Sequence, residues 1–422
     1  MNKVTIVHPA RQHSYRTAEA LIKTGKLHRY ITTVYYKNNV FWKIVKCFLP
    51  RRFKFKLQSK HNGELDRGNY VCTVNELLGL FYLILMNVDK QKRVTPRFYT
   101  YLLNKFGKNA AKQVSDDVRA VIGYDITATK TFSELKKRND NIVTILDMTS
   151  SPVGCIRDIL VDEYSMAINK HNALLENDYA IKLREYSTKC VLYYMKEFEY
   201  TDYFLAPSTH VKDMLVSKGI NEEKIHVIPF GVDLCKFNYV NRPPISQESI
   251  INFLFVGRVE GAKGIHYLLE AVDVLGRKRT DFKLTMVGNI GCNKKIIDKY
   301  PFCHFVGQVS SDEIVNYYRN ADVFIMPSLW EGFSLSLMEA LSTGLPVIAT
   351  KVSGGEDIIV NQRNGLLINS QSTEEIISGI EWILDNKSKI RLMGKEATNS
   401  VASYTWSAYS DNICHFIDLC CR

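Results

Sequence analysis

Short apolar runs rich in β-branched residues recur along the chain, each followed by a stretch of helical periodicity, and they fall into two series. The first places strands near 4–7, 30–35, 120–124, 142–146, 203–206 and 225–228; the second near 252–256, 283–287, 304–306, 323–326 and 347–350. Such alternation predicts parallel sheets covered by helices, an α/β fold. A chain of 422 residues exceeds what one hydrophobic core usually supports, so two series predict two domains. Between them, Pro229-Phe230-Gly231-Val232-Asp233 and Asn241-Arg242-Pro243-Pro244 carry prolines that withhold amide donors and discourage continuous helix or sheet. The expected division is a first domain over 1–245, a second over 246–403, and a tail over 404–422 that forms a last helix.

Cellular context follows from what surrounds these runs. The first residues, Met-Asn-Lys-Val-Thr-Ile-Val-His, hold too short an apolar run for a signal-peptide core. The most apolar stretch, Leu77 to Val88, has 12 positions where a spanning helix needs about 20, and predicts a buried or interfacial helix. Ten cysteines lie scattered, without Cys-x-x-Cys, as in a chain kept reduced in the cytoplasm. Lysine and arginine outnumber acids by 55 to 44, which favours polyanionic partners. Between Phe41 and Lys60 stand seven basic residues, no acid, and the aromatics Phe41, Trp42, Phe48, Phe53 and Phe55. Such a segment suits the headgroup layer of an anionic membrane, with a peripheral location, or a solvated loop over the core. Nucleic acid is disfavoured, since no recognition signature accompanies the charge.

The chemistry concentrates in the second series. The strand at 252–256 runs into Gly257-Arg258, and Lys263-Gly264 opens the next helix. Two cations at a strand end and a helix start stand where open parallel sheets bind ligands, and the helix dipole adds to their attraction for phosphate; the plain alternative is a pair of surface charges. After the strand at 323–326 comes Glu331-Gly332-Phe333-Ser334-Leu335-Ser336-Leu337-Met338-Glu339, two acids flanking the start of a helix expected near Ser336. Glycine at 332 would let backbone amides approach a ligand. Glu339, expected in the first helical turn, suits a ribose diol, or else closes a capping box with Ser336.

These motifs resemble glycosyltransferase family 4, the retaining enzymes of the GT-B fold, of the type that builds bacterial surface polysaccharide. The resemblance rests on Gly257-Arg258 with Lys263-Gly264, Phe305-Val306-Gly307, Ala321-Asp322-Val323, Glu331 to Glu339, Gly344-Leu345-Pro346, Gly354-Gly355-Glu356 and Asn364-Gly365. It is strong from Asn252 to Leu367 and faint before Tyr203; Tyr404-Thr405-Trp406 resembles the point at which the family's last helix crosses back to the first domain.

The resemblance implies two Rossmann-like domains facing across a cleft. It makes Arg258 and Lys263 the pair that neutralises a departing nucleoside diphosphate, and Glu331 the contact to the transferred sugar. It assigns the amides of Gly332, Phe333, Ser334 and Leu335 to sugar hydroxyls or phosphate, Glu339 to the ribose, and Gly257, Gly307 and Val309 to the remaining donor contacts. It implies a nucleotide-sugar donor, a glycan acceptor of lipid-linked type held by the first domain, and no cofactor or metal; the sequence has no Asp-x-Asp. Where relatives carry a glycine pair after the first strand this chain reads His8 to Arg16, and where they place a histidine after a central strand it reads Asp147-Met148-Thr149. His13 and Asp147 are therefore the candidates to replace it. Other readings of the same fold are a nucleotide-sugar epimerase, a sugar phosphorylase, or a non-catalytic nucleotide-sugar-binding subunit.

Overall fold

The computed structural model describes residues 2–37, 42, 60–138, 141–169, 176–291 and 299–421. The first sheet contains β1 (Val4–Val7), β2 (Leu27–Thr32), β3 (Val71–Thr73), β4 (Ala120–Tyr124), β5 (Val143–Asp147), β6 (Tyr203–Ala206) and β7 (Ile225–Val227), in the order β3-β2-β1-β4-β5-β6-β7. The second contains β8 (Ile251–Val256), β9 (Phe282–Val287), β10 (Cys303–Gly307), β11 (Val323–Met326), β12 (Val347–Thr350) and β13 (Gly365–Ile368), in the order β10-β9-β8-β11-β12-β13. All pairings are parallel. Central strands such as β1, β4 and β12 are buried along their whole length, as parallel strands covered on both faces must be. The architecture is thus two Rossmann-like α/β domains, with strand order reversing at β1/β4 in one and at β8/β11 in the other.

Two strands escape the sequence pattern. β3 is a three-residue edge strand, half-buried throughout, and so lacks the apolar run that marks its neighbours. β13 follows Asn364, whose side chain accepts from the Val360 amide and donates to the Ile358 carbonyl; a turn built by one asparagine leads directly into the strand.

The chain passes between the domains twice. The Val232 amide donates to the Tyr404 carbonyl at 2.9 Å, so the outgoing linker and the returning segment run side by side. Gly231 is required there, because a Cβ would strike the Thr405 and Trp406 backbone. Thr405 then caps the last helix, Trp406–Cys420, by accepting from the Ala408 amide. That helix returns to the first domain and packs on the Ser14–Lys23 helix, as expected. Buried Tyr409 shares a 2.9 Å hydrogen bond with Thr17, and Lys26 pairs with Asp418 at 2.9 Å. Burying the aromatic ring alone contributes roughly 2–3 kcal/mol to holding the tail in place.

Candidate active site

The loops after β8 and β11 interlock at the switch point of the second domain. The Leu329 amide donates to the Ala262 carbonyl at 2.9 Å, and Gly264, in left-handed conformation at φ 63°, leaves no room for a Cβ against the Pro327 carbonyl. Lys263 Nζ is thereby placed on Glu331 Oε1, and both side chains are largely shielded from solvent. Arg258, 61% exposed, reaches Glu260 at 3.0 Å, and Glu260 is in turn approached by Lys182 of the first domain at 3.7 Å. The two cations and the acid at 331 that the sequence singled out are thus gathered on adjoining loops.

Ser334, not Ser336, caps the Leu335–Ser342 helix, accepting from the Leu337 amide at 3.3 Å. The capping box is therefore not formed, and Glu339 stands in the second turn. Its carboxylate accepts from Tyr318 Oη at 2.8 Å, and burial raises its pKa from the usual carboxylate range to about 7. The Ser334 amide is committed to the Ser353 carbonyl at 3.0 Å, which removes it from the donors expected for a ligand. Gly332 is also explained differently: a Cβ there would overlap the Thr149 carbonyl of the first domain, so the glycine admits the opposite domain's backbone. Phe333 stacks on Tyr404 with ring centroids 6.2 Å apart.

Glu339, Leu335 and Val309 share an interdomain cleft of about 510 Å³ with Arg16, Asp233, Lys236 and Trp406. Gly307 has left-handed φ of 85° with open space where a Cβ would stand, and its carbonyl accepts from the Gly288 amide. The cleft adds two cations the motifs did not single out. Lys236 is held by Ser311 and Asp312, and the Arg16 guanidinium lies 4.9 Å from the centre of the Trp406 ring. Both come from stretches outside the second domain's motifs: Arg16 is held at the cleft by Trp406 of the returning segment, and Lys236 by the packing of Phe237 on Tyr318.

The first domain supplies a facing cluster. His13 Nε2 lies 2.8 Å from Asp147 Oδ2, and the imidazole packs among Tyr124, Phe230 and Tyr409. Asp125 accepts from the Thr149 amide at 3.1 Å and from its hydroxyl at 2.6 Å, while burial raises its pKa to about 6. His8, fully buried beside Tyr124, is pushed down to about 4 and stays neutral. Ser151 donates to the Glu331 carbonyl at 2.9 Å and Ser208 to that of Gly332 at 2.7 Å, so the first domain holds the backbone of the acidic loop directly.

A second interdomain contact was not legible in the sequence. Glu163, on the Val153–Asn169 helix, accepts from Tyr179 at 3.0 Å within its own domain. Across the interface it meets His266 at 2.9 Å, Tyr267 at 2.9 Å and Gln371 at 2.6 Å. Burial would raise its pKa, but the donors from His266, Gln371 and Tyr267 more than offset that and hold it below the usual value. His266 and Tyr267 follow Lys263 by three and four residues, so this carboxylate anchors the start of the helix Ile265–Gly276.

Most of the basic aromatic segment between Phe41 and Lys60 lies outside the described residues. Its two described members point inward. Trp42 is buried with Val34 and Tyr36, and Lys60 is buried with its pKa pushed down to about 8. Neither is placed to meet a membrane.

Comparison with known proteins agrees with this geometry. The family model "Glycosyl transferases group 1" matches residues 242–400. The chain is 29% identical over 215 residues to D-inositol 3-phosphate glycosyltransferase of Pseudarthrobacter chlorophenolicus, covering 47% of this chain and 51% of that one. It is 28% identical over 207 residues to the UDP-Gal:alpha-D-GlcNAc-diphosphoundecaprenol alpha-1,3-galactosyltransferase of Escherichia coli, covering 44% and 51%. The aligned part thus spans about half the length of the curated relatives it matches. Among solved structures, sucrose-phosphate synthase from Thermosynechococcus elongatus superposes with a TM-score of 0.66 at 17% identity, over 100% of this chain and 99% of that one. That likeness gives the fold, the two-domain GT-B architecture.

Proposed function

We propose that the protein is a retaining, hexosyl-type glycosyltransferase that moves a sugar from a nucleoside diphosphate to a glycan acceptor, lipid-linked and met at the cytoplasmic face of a membrane, in surface polysaccharide synthesis. The observation that carries this reading is the Lys263–Glu331 pair at the switch point of the second domain, held from across the cleft by Ser151. A diphosphate bound at the Ile265–Gly276 helix start gains Lys263, Arg258 and the helix dipole as counter-charge, and the sugar beyond it meets Glu331.

The nucleoside occupies the cleft at Val309 and Glu339, with the ribose diol donating to the Glu339 carboxylate. As the bond from the anomeric carbon to phosphate oxygen breaks, charge develops on the diphosphate, and the two cations stabilise it where it forms. One such aimed group, in a site closed to water, is worth about 3 kcal/mol. The acceptor hydroxyl bonds to the anomeric carbon on the face the diphosphate leaves, and its proton passes to the departing phosphate oxygen. His13, fixed by Asp147, positions the reacting groups from the first domain. A lipid-linked acceptor and a uridine nucleotide are supported by what the Escherichia coli relative's name states of that protein. The test is to supply UDP-, GDP- and ADP-sugars with candidate lipid-linked acceptors and follow product anomers by NMR. Sugar transfer with retained configuration supports the reading; donor turnover without any acceptor dependence contradicts it.

A further inference from the structure

The Glu76–Val88 helix of the first domain is apolar on both sides. One side is anchored: Leu80 and Leu83 pack on Val34, Tyr36 and Trp42, Tyr82 stacks on Tyr99 at 4.7 Å, and Gly79 lies so close to Thr33 and Val34 that a Cβ would overlap them. The other side faces solvent. Leu77 is 81% exposed, Phe81 51%, Ile84 51% and Val88 74%, and their spacing of four, three and four residues aligns them in one stripe along the helix. A helix apolar all round is ordinarily buried on all sides, so this stripe lacks its partner among the described residues.

The charges around the stripe indicate what the partner is. From residue 76 to 113 the chain has seven cations, Lys90, Lys92, Arg93, Arg97, Lys105, Lys108 and Lys112, against two acids, Glu76 and Asp89. Asp89 is committed internally, accepting from the amides of Arg93, Val94 and Thr95 to form the turn between this helix and the Thr95–Gln113 helix. Lys92 is half-buried beside Glu185 and Met86, whereas the other six cations are exposed. Phe81 meets Phe98 at 4.9 Å, which ties the stripe to the helix that carries Arg97, Tyr101 and Lys105. An apolar stripe, an exposed tyrosine and a row of cations on one helical pair match an interface of hydrocarbon beneath anionic headgroups.

We infer that the Leu77-Phe81-Ile84-Val88 stripe and the neighbouring cations Lys90, Arg93 and Arg97 dock the protein onto an anionic lipid bilayer. The stripe enters the acyl boundary while the cations meet phosphate or carboxylate headgroups. The surface is read by binding alone and stands independently of the transfer reaction.

The experiment is co-sedimentation of the full chain with vesicles of phosphatidylcholine, with and without about one-third phosphatidylglycerol. The wild type is compared with Leu77→Glu/Val88→Glu, Arg93→Glu/Arg97→Glu, and the exposed second-domain control Lys278→Glu/Lys283→Glu, each first shown to keep the wild-type circular dichroism and melting temperature. Near such a surface each cation contributes roughly fivefold to partitioning, so both first-domain variants should lose more than about tenfold in binding to anionic vesicles. The control, equal in charge change to the arginine pair and larger than the Leu77 and Val88 pair, should bind as the wild type does. Absence of wild-type binding, or equal losses in all three variants, overturns the proposal. So does a wild-type dimer in lipid-free sedimentation velocity that Leu77→Glu/Val88→Glu dissociates, since the stripe would then cover a second copy.

Discussion

His13 and Asp147, separated by 134 residues, meet at 2.8 Å between imidazole Nε2 and carboxylate Oδ2, at the point where the first domain, the linker residue Phe230 and the crossing helix residue Tyr409 converge. The carboxylate fixes the orientation of the ring and favours the tautomer that donates from Nε2. In the proposed reaction the pair positions groups at the transferring sugar without touching the nucleotide.

Asp147→Asn should therefore lower turnover about 100-fold, while the dissociation constant for nucleoside diphosphate stays within about twofold of wild type. Steady-state kinetics beside calorimetric titration of the nucleotide separates the two. A matching loss in nucleotide affinity would assign the pair to folding of the cleft.

Lys263 is already neutralised by Glu331 before any ligand arrives. A diphosphate must compete with that carboxylate, so Glu331→Gln should bind free nucleoside diphosphate several-fold more tightly while transferring sugar more slowly. Lys263→Ala should weaken nucleotide binding at least tenfold. Calorimetry on both variants checks the opposed signs.

Glu339 titrates from about 7 in the folded protein, against the usual carboxylate value when unfolded, because burial outweighs its hydrogen bond from Tyr318 and the charge of Lys236. The folded state thus favours the protonated form, and this group's contribution to stability is lost as pH rises toward 7. Nucleotide binding should run the other way, since two ribose hydroxyls need an ionised acceptor. Affinity should rise about tenfold from pH 6 to pH 8, and Glu339→Gln should flatten the profile.

Much of this arrangement was visible in the residues. The strands at the two switch points, the cations at 258 and 263 and the acids at 331 and 339 announce themselves because each lies within a few residues of a buried apolar run. The His13–Asp147 pair was legible only as two separate positions, since no periodicity connects residues so far apart. The packing constraint on Gly332 was hidden for the same reason: it comes from the Thr149 carbonyl, which the local sequence cannot show. Ser334 and Ser336 are equally good caps by composition, and the backbone alone decides between them. Glu163 carries no motif at all, because its partners at 179, 266, 267 and 371 come from three separate stretches.

Glu163→Ala would leave several buried donors without an acceptor across the domain interface. The expected loss is on the order of 3–5 kcal/mol, with a lower melting temperature and a larger radius of gyration by X-ray scattering as the domains part. Glu163→Gln, which keeps one carbonyl acceptor, should lose less.

Gly332→Ala forces a methyl group against the Thr149 carbonyl. Transfer should fall at least tenfold through impaired closure, with the isolated nucleotide-binding step changed far less. Scattering with and without nucleotide reads the closure.

The most direct test of the donor site is a thermal-shift titration with UDP-, GDP- and ADP-sugars on the wild type beside Lys263→Ala and Glu331→Ala. A ligand that binds only the folded state raises stability by an amount set by its concentration relative to its dissociation constant. One donor class should raise the wild-type melting temperature in a dose-dependent way; Lys263→Ala should lose that shift while remaining folded, and Glu331→Ala should keep the shift given by the free nucleoside diphosphate but lose the additional shift that the sugar adds. If no donor shifts the wild type, or if the variants respond as the wild type does, the cleft at Lys263 and Glu331 is not a nucleotide-sugar site.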